Sequence, residues 1–230
     1  MISKRLEMVA SLVPKNVRMA DIGCDHAYVP IALLQRKQVT LAIGCDLNKG
    51  PLEAAKRNAE RLNFDAERLQ LRLGNGMQVL SPGEVDVVTI AGMGADLMID
   101  IFSASPDIVE SLSRIVVSPN VAPWVVRRWA MEHHFAICEE EVVCDNNRFY
   151  EVFAFEPTEQ DVSYSEMELY FGVKLPYKKD EITKAYFERR RYKDFQLLSA
   201  WEKVRQNRSE IAAQYNWLTT MWKCWEECNI

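Results

Sequence analysis

The stretch VRMADIG at residues 17–23, followed by the turn CDHA at residues 24–27, decides the fold of this 230-residue chain. The run is short and mostly apolar, as is typical of a buried strand, and a pattern of helical period follows it over residues 26–35. A strand that continues into a helix through a glycine-containing turn is the first half of a βαβ unit. We therefore predict a parallel sheet with a ligand-binding turn at the carboxyl end of its first strand.

The same alternation continues through the first two-thirds of the chain. The pattern predicts further strands at 39–46, 69–73, 85–90 and 115–118, and helices at 50–62 and 123–133. Two more strands, 135–143 and 148–155, are separated by a loop whose Asp-Asn-Asn is rich in turn formers. We therefore predict an α/β fold in which a final hairpin adds one antiparallel strand to an otherwise parallel sheet.

From Tyr164 onward the strand patterns give way to two helical sets of apolar residues. We expect the two sets to face each other in an antiparallel coiled-coil hairpin, with Ser209 as an N-cap between them. The sets are Phe187, Phe195, Leu198, Trp201, Val204 and Ile211, Tyr215, Leu218, Trp222, Trp225. Four of the six tryptophans lie here, and we expect them to form the hairpin core rather than platforms for base stacking. The predicted domains are residues 1–158 and 159–230.

The composition is that of a globular protein, with 48% hydrophobic and 27% charged residues. No apolar run is long enough to span a bilayer or to act as a secretory signal. The six cysteines contain no C-x-x-C pair, so we expect reduced thiols and a cytoplasmic protein. Cys224 and Cys228 lie one helical turn apart, but no nearby ligand completes a metal site, and we expect none.

The net charge of −5 is unevenly distributed along the chain. Residues 1–159 carry −6 and residues 160–230 carry +1. A local basic patch can contact nucleic-acid phosphates even on an acidic protein, although a solvated helix face explains such a run equally well. The densest basic cluster is Lys184, Arg189, Arg190, Arg191 and Lys193, of which the three arginines are our candidates for phosphate contacts.

The turn after the first predicted strand has one glycine, Gly23, where a dinucleotide-binding turn has three. Asp25 and Tyr28 occupy the other two glycine positions. An acid beside a pyrophosphate is repulsive, whereas an acid beside the sulfonium and amino groups of S-adenosylmethionine is attractive. The turn therefore favours S-adenosylmethionine over NAD.

Polar or small residues also follow the other predicted parallel strands. Because the carboxyl ends of parallel strands meet at one edge, we expect these residues to line one cleft. Asp46 ends the second strand, where an acid binds ribose hydroxyls in both ligand classes. Asn75 is a candidate contact to adenine, although a simple turn explains it equally well. The remaining strands lead into Gly74-Asn75-Gly76, Ala91-Gly92-Met93-Gly94 and Ser118-Pro119-Asn120.

The segments DIGCDHAYVP, IAGMG, SPN and RFYEVFAFE together resemble the bacterial family that methylates N1 of adenine 22 in transfer RNA. The resemblance runs from the N-terminal helix to Phe155, and the C-terminal region is similar to that family's coiled coil. It implies a Rossmann-like class I methyltransferase sheet, S-adenosylmethionine as cofactor and tRNA as substrate. Cys24, Ala95 and Ser118 stand where the family more often has serine, glycine and glutamine, differences that leave the charge unchanged.

The chemistry of the cleft leads to a hypothesis for the role of each of its residues. Asp25 is the residue that we expect nearest the sulfonium or the incoming base, with Asn120 and His26 as further catalytic candidates. His26 has helix capping and packing as its alternative role. Met93, Gly94 and Asn120 are expected to border the target base. The expected cofactor pocket consists of Asp21, Gly23, Asp25, His26, Asp46, Asn75, Gly76, Ala91 and Gly92.

Three alternatives remain open on the sequence alone. The chain could methylate another RNA, a protein or a small molecule, or it could be a non-enzymatic module that binds RNA or the cofactor. A nicotinamide oxidoreductase is the third, and stabilisation by NAD but not by S-adenosylmethionine would favour it. The sequence does not decide how many chains associate.

Overall fold

The computed structural model describes residues 2–65, 67–205 and 208–227. Its contacts divide the chain into two compact units, Met1–Ser163 and Tyr164–Ile230. The first unit therefore ends five residues after the predicted boundary at residue 158.

The first unit contains a seven-stranded sheet. The strand order is β3-β2-β1-β4-β5-β7-β6. Pairing is parallel from β3 to β5, whereas β7 runs antiparallel to both of its neighbours, β5 and β6. The prediction of a mostly parallel sheet with one antiparallel strand is confirmed. The strands are β1 Val17–Ile22, β2 Val39–Asp46, β3 Leu69–Leu73, β4 Val87–Ala91, β5 Arg114–Ser118, β6 Phe135–Asp145 and β7 Arg148–Pro157.

The helices of the first unit lie between these strands and before β1. The predicted helices are present, although α2 begins two residues later than the pattern indicated. Helices α4 and α5 were not predicted, because no element was assigned between the loop that ends at Gly94 and the strand that begins at Ile115. The helices are α1 Lys4–Ser11, α2 Tyr28–Gln35, α3 Lys49–Arg61, α4 Ala95–Ser103, α5 Pro106–Ser111 and α6 Pro123–Glu132.

The core of the first unit is centred on β4, whose residues Val87, Val88, Thr89 and Ile90 are all fully buried. Successive side chains of a strand point to opposite faces, so complete burial of four in a row means that both faces of the sheet are covered. This arrangement leaves the strand ends, rather than the faces, available to a ligand.

A buried ion cluster joins α6 to the last two strands. Arg127 Nε lies 2.6 Å from Glu140 Oε1, and the same guanidinium pairs with the carboxylate of Glu151 and lies 4.8 Å from the centre of the Phe153 ring. The Arg127 and Glu140 side chains are fully buried, and that of Glu151 is 6% exposed. Burial alone lowers the pKa of Arg127, but the two carboxylates outweigh it and raise that pKa.

The second unit is helical. It consists of α7 Glu166–Phe171, a 3-10 turn Leu175–Tyr177, α8 Glu181–Glu202 and α9 Ser209–Glu227. Ser165 and Glu168 form a reciprocal capping box at the start of α7. Asp180 caps α8 by accepting from the backbone N–H groups of Ile182 and Thr183. Ser209, predicted as an N-cap, is instead the first residue of α9.

Helices α8 and α9 contact each other, and α7 also packs against α9. Trp222 and Trp225 are buried, which confirms their predicted place in the core. Two other positions of the predicted seam, Phe195 and Val204, are 46% and 41% exposed. The paired helices are therefore present, while coiled-coil packing along their whole length stays a prediction.

Within the described part of the chain, the helices are all too short or too polar to cross a lipid bilayer.

Candidate functional site

Five parallel strands end at the same edge of the sheet, where hydrogen bonds join the loops that follow them. The register places Asp21 beside Thr89, and Ala91 beside Ser118. Backbone hydrogen bonds continue past the strands, so the loops predicted to share a cleft do lie side by side. These bonds run from Gly23 N to Cys45 O at 2.8 Å, from Gly74 N to Asp46 O at 2.9 Å and from Gly92 N to Ser118 O at 3.1 Å.

The turn between β1 and α2 has a backbone that is unusual for its sequence. Gly23, Asp25 and Ala27 have φ values of 72°, 50° and 57°, in the left-handed region. Glycine adopts this region freely and aspartate tolerates it, whereas alanine is strained there. Hydrogen bonds hold the turn, since Asp25 N donates to Asp46 Oδ2 at 3.2 Å and Ala27 N to Cys24 O at 2.7 Å. Strain maintained in this way is typical of functional sites.

Asp46 is 8% exposed and orders the backbone around it. One of its carboxylate oxygens accepts from Asp25 N, and the other accepts from Asn48 N at 2.9 Å. Asp25 itself presents a side chain that is 65% exposed, with its Oδ1 3.5 Å from His26 Nε2. The His26 ring also lies 5.3 Å from the ring of Tyr28. The turn thus exposes the Asp25 carboxylate, while hydrogen bonds from the backbone hold the buried Asp46 carboxylate in place.

Asp21 lies at the end of β1 and is 6% exposed. Its Oδ1 accepts a hydrogen bond from Thr89 Oγ1 at 2.6 Å. Burial raises the pKa of Asp21 to about 7; the Thr89 hydrogen bond opposes the rise and the nearby Asp46 carboxylate adds to it. Thr89 was missed from the sequence, although a polar residue inside the apolar run of β4 is the signal that marks it.

The loop after β4 contacts both the first turn and the loop after β5. A Cβ built on Gly23 would overlap Met93 Cε, so the Met93 side chain lies directly over the first turn. Asn120 N donates to Met93 O at 2.8 Å, and Asn120 Nδ2 donates to Gly92 O at 2.5 Å. Gly92 has a φ of 87° and open space where a Cβ would stand. These contacts bring Met93, Gly92 and Asn120 together, as the sequence predicted.

The other predicted pocket residues lie on the same edge. Asn75 is exposed in the turn after β3, and Gly76 follows it with a φ of 57°. Ala91 is the last residue of β4, and Gly94 precedes the first residue of α4. The edge therefore collects every residue predicted for the cofactor and the base, while their individual roles stay predictions.

The chemistry of this edge fits a cationic nucleoside ligand. Asp21, Asp25 and Asp46 supply three carboxyl groups near the ends of β1 and β2, a charge that attracts a sulfonium and an ammonium and repels a diphosphate. Burial raises the pKa of the Cys24 and Cys45 thiols, that of Cys45 to about 12, so both are neutral near pH 7 and are poor nucleophiles.

One residue that contacts the edge was missed entirely. Arg5, on α1, donates from Nε to Ser118 Oγ at 2.9 Å and from its guanidinium to Ser118 O. The two residues are 113 positions apart in the sequence, so nothing local in the sequence indicates the contact.

The three arginines proposed for phosphate contacts lie on α8 in different surroundings. Arg190 is a correction to that proposal, because its guanidinium lies 4.0 Å from the centre of the Tyr170 ring and 4.0 Å from Asp194 Oδ2, inside the helical unit. Arg189 and Arg191 are exposed. Arg191 borders a groove of about 760 Å³ whose lining also includes Tyr177, Lys178, Lys179, Lys184, Phe187, Trp222 and Trp225.

Across residues 2–65, 67–205 and 208–227, no cluster of three potential metal ligands occurs. The five cysteines of these ranges carry free thiols. Cys228, which the sequence placed one turn from Cys224, lies outside the described residues.

This chain matches a family model, a curated relative and several solved structures. Residues 2–153 match the family model of a methyltransferase domain. The tRNA (adenine(22)-N(1))-methyltransferase of Bacillus subtilis (strain 168) is 33% identical over 172 residues, which cover 75% of this chain and 72% of the relative.

Two solved structures contain the cofactor or its product. A Streptococcus pneumoniae protein in complex with S-adenosyl-L-methionine is 29% identical, with a TM-score of 0.82 over 96% of this chain and 99% of that chain. The M. capricolum TrmK in complex with the cofactor product S-adenosyl-homocysteine is 26% identical, with a TM-score of 0.84 over 98% of both chains.

Proposed function

Because this chain belongs to the family of tRNA (adenine(22)-N(1))-methyltransferases, we propose that it transfers a methyl group from S-adenosylmethionine to N1 of adenine 22 in tRNA. The observation that carries the proposal is the acidic, single-glycine turn after β1, over which the Met93 side chain of the β4 loop lies. S-adenosylmethionine supplies a methyl group on a positively charged sulfur, which becomes a neutral thioether after transfer.

The residues of the first two strand ends hold the cofactor in this proposal. Asp46 accepts hydrogen bonds from the ribose hydroxyls, in addition to those it accepts from the backbone. Asp21 and Asp25 attract the cationic part of the ligand. The turns at Asn75-Gly76 and Ala91-Gly92 let the backbone approach the nucleoside closely, since glycines there lack side chains.

The residues of the next two strand ends hold the target base. N1 of adenine has a free lone pair at neutral pH, so the attack on the methyl group needs no general base. The protein contributes alignment and exclusion of water. Met93 walls the site, Gly92 and Gly94 leave room for the base, and Asn120 orients it. The exposed Asp25 carboxylate is placed to stabilise the cationic product base.

The second unit supplies a surface suited to the rest of a tRNA. Lys178, Lys179, Lys184 and Arg191 surround a groove with an aromatic lining. Phosphate contacts from such side chains give affinity without reading sequence. We therefore propose that Arg189 and Arg191, but not Arg190, contact the RNA backbone, and that the enzyme acts in the cytoplasm, where bacterial tRNA is found.

We expect the affinity for S-adenosylmethionine to increase as the pH rises through about 7. The pKa of Asp21 is raised to about 7, so its carboxyl group gains the charge that attracts the ligand only above that pH. The stability of the ligand-free fold should change in the opposite direction. The folded state binds more protons than the unfolded state between about pH 4 and pH 7, so the free energy of unfolding falls as pH rises there.

Calorimetric titration and thermal unfolding of the wild type and Asp21→Asn, at a series of pH values, measure both effects. The variant should lose the part of each pH dependence that Asp21 contributes, because its amide does not titrate. A wild-type dissociation constant that stays constant between about pH 6 and pH 8 would contradict a role for this carboxyl group.

The decisive test of the reaction compares a transcribed tRNA with the same molecule in which adenine 22 is changed to guanine. Labelled methyl groups should enter the first RNA and not the second, because N1 of guanine carries a proton and has no free lone pair. An adenine-to-guanine change at another unpaired position is the control and should leave incorporation unchanged. Nucleoside analysis of the product should identify 1-methyladenosine.

Other outcomes separate the alternatives. Equal incorporation into both RNAs would place the reaction at another position of the tRNA. Incorporation only into metabolite or protein fractions would show that the substrate is a small molecule or a protein. Binding of cofactor and tRNA with no product in a single turnover would favour a non-enzymatic module.

A further inference from the structure

Ser118, the last residue of β5, makes four hydrogen bonds inside the protein through its side chain and its carbonyl group. The residue is fully buried. Its Oγ accepts from Arg5 Nε at 2.9 Å and donates to Glu151 O at 2.9 Å. Its carbonyl oxygen accepts from the Arg5 guanidinium and from Gly92 N at 3.1 Å. One arginine on the first helix therefore supplies two of the four hydrogen bonds that hold this strand end.

Arg5 is itself fixed by contacts on the last hairpin of the sheet. Its guanidinium carbon lies 4.3 Å from the centre of the Tyr150 ring, and its backbone N donates to Asp145 Oδ2 at 3.3 Å. The side chain thus bridges the hairpin of β6 and β7 to the strand end that carries Ser118. Each of these partners belongs to the first unit.

Two steps of hydrogen bonding separate Arg5 from the proposed base site. The Ser118 carbonyl joins Arg5 to Gly92, and Asn120 Nδ2 donates to Gly92 O at 2.5 Å. Removal of the guanidinium takes one hydrogen bond from the Ser118 carbonyl and one from its hydroxyl, so the buried strand end loses two of the contacts that hold it and is free to shift. Such a shift moves Asn120, two residues further on, together with the loop after β4.

We propose that Arg5 is a positioning residue for methyl transfer: it fixes Ser118 and thereby the spacing of the Gly92–Met93 and Asn120 loops around the target base. The inference rests on the proposed function. Arg5 reaches neither the cofactor nor the base, and it acts through the loops that do.

The test compares Arg5→Met, Arg5→Lys and the control Arg36→Met. Arg36 also forms an ion pair with α1, at 2.6 Å to Glu7 Oε2, and this pair does not involve the loops of the proposed base site. For each protein, kcat and KM are measured with the adenine-22 tRNA, together with the dissociation constant for S-adenosylmethionine and the melting temperature. Methionine keeps an unbranched stem but cannot donate, whereas lysine can donate to the Ser118 carbonyl.

We expect Arg5→Met to lower kcat by roughly ten- to a hundredfold, because displacements of about 1 Å cost that much in alignment. Its cofactor affinity should stay within about twofold of wild type, Arg5→Lys should recover part of kcat, and Arg36→Met should keep the full rate. A merely structural role would lower the melting temperature and the folded fraction without changing kcat per folded molecule.

A kcat for folded Arg5→Met equal to that of Arg36→Met would overturn the inference. If Arg5→Met does not fold, Arg5→Gln replaces it: its shorter side chain cannot reach both Ser118 acceptors, so a wild-type kcat for folded Arg5→Gln would overturn the inference in the same way. Wild-type protein that fails to methylate the tRNA would sink the proposed function instead, so the two failures are distinguishable.

Discussion

Replacing Asp25 with alanine is expected to lower turnover by at least about a hundredfold while the protein stays folded, the size of loss seen when a group that stabilises transition-state charge is removed. The side chain is 65% exposed, and its closest ionic neighbour, His26 Nε2, is 3.5 Å away, so few structural contacts are lost. The reaction places positive charge on the adenine, and this carboxylate is the exposed one of the three at the site.

Asp25→Asn is the matched variant, because the backbone at this position has a φ of 50°. Asparagine adopts that conformation readily, whereas alanine in it costs roughly 1–2 kcal/mol. Both variants should lose turnover if the charge matters. Wild-type turnover in Asp25→Asn would remove the carboxylate from the site, and a loss confined to the alanine variant would assign the effect to the backbone. Single-turnover kinetics and thermal unfolding distinguish these results.

Arg127→Met should cause the largest loss of stability, roughly 3–5 kcal/mol in the free energy of unfolding of the first unit. The change leaves the carboxylates of Glu140 and Glu151 buried without their counter-charge. For a protein of this size the loss corresponds to a melting temperature lower by roughly 6–20 °C. Thermal unfolding followed by circular dichroism or calorimetry measures it.

Arg18→Met is the control, because Arg18 also forms an ion pair, 2.6 Å from Asp86, but with side chains 41% and 35% exposed. Loss of an exposed pair costs at most about 1 kcal/mol. Changing Glu140 and Glu151 to methionine in the Arg127→Met background should restore much of the stability, since an apolar cluster carries no buried charge. If Arg127→Met and Arg18→Met had the same melting temperature, the account of the buried cluster would be wrong.

Local sequence was sufficient for most of the sheet. The strands and the long helices follow from apolar runs, their period and the turn residues between them. Helix α5, with six residues, is too short to show a period. The burial of Arg127 was not predictable, because arginine is mostly exposed and its partners lie 13 and 24 residues further along the chain.

The candidate site also has features that the sequence predicts and features that it does not. The convergence of Gly23, Asp46, Gly92 and Asn120 on one edge follows from parallel topology alone. The side-chain contacts that tune the edge do not, since Thr89 lies 68 residues from Asp21 and Arg5 lies 113 residues from Ser118. In the second unit, the seam was predicted for two helices, but α7 also packs against α9, and Phe195 and Val204 are exposed.

The place of β7 between β5 and β6 constrains how the chain can mature during its synthesis. The ribosome delivers β6 first, yet its partner in the described sheet is β7. Until Pro157 has emerged, β5 presents an open edge and β6 has not been joined to the sheet, a state prone to pairing with other chains. The sheet of the first unit is therefore complete only after β7 has joined both β5 and β6, and chains that stall before Arg148 keep the edge of β5 exposed.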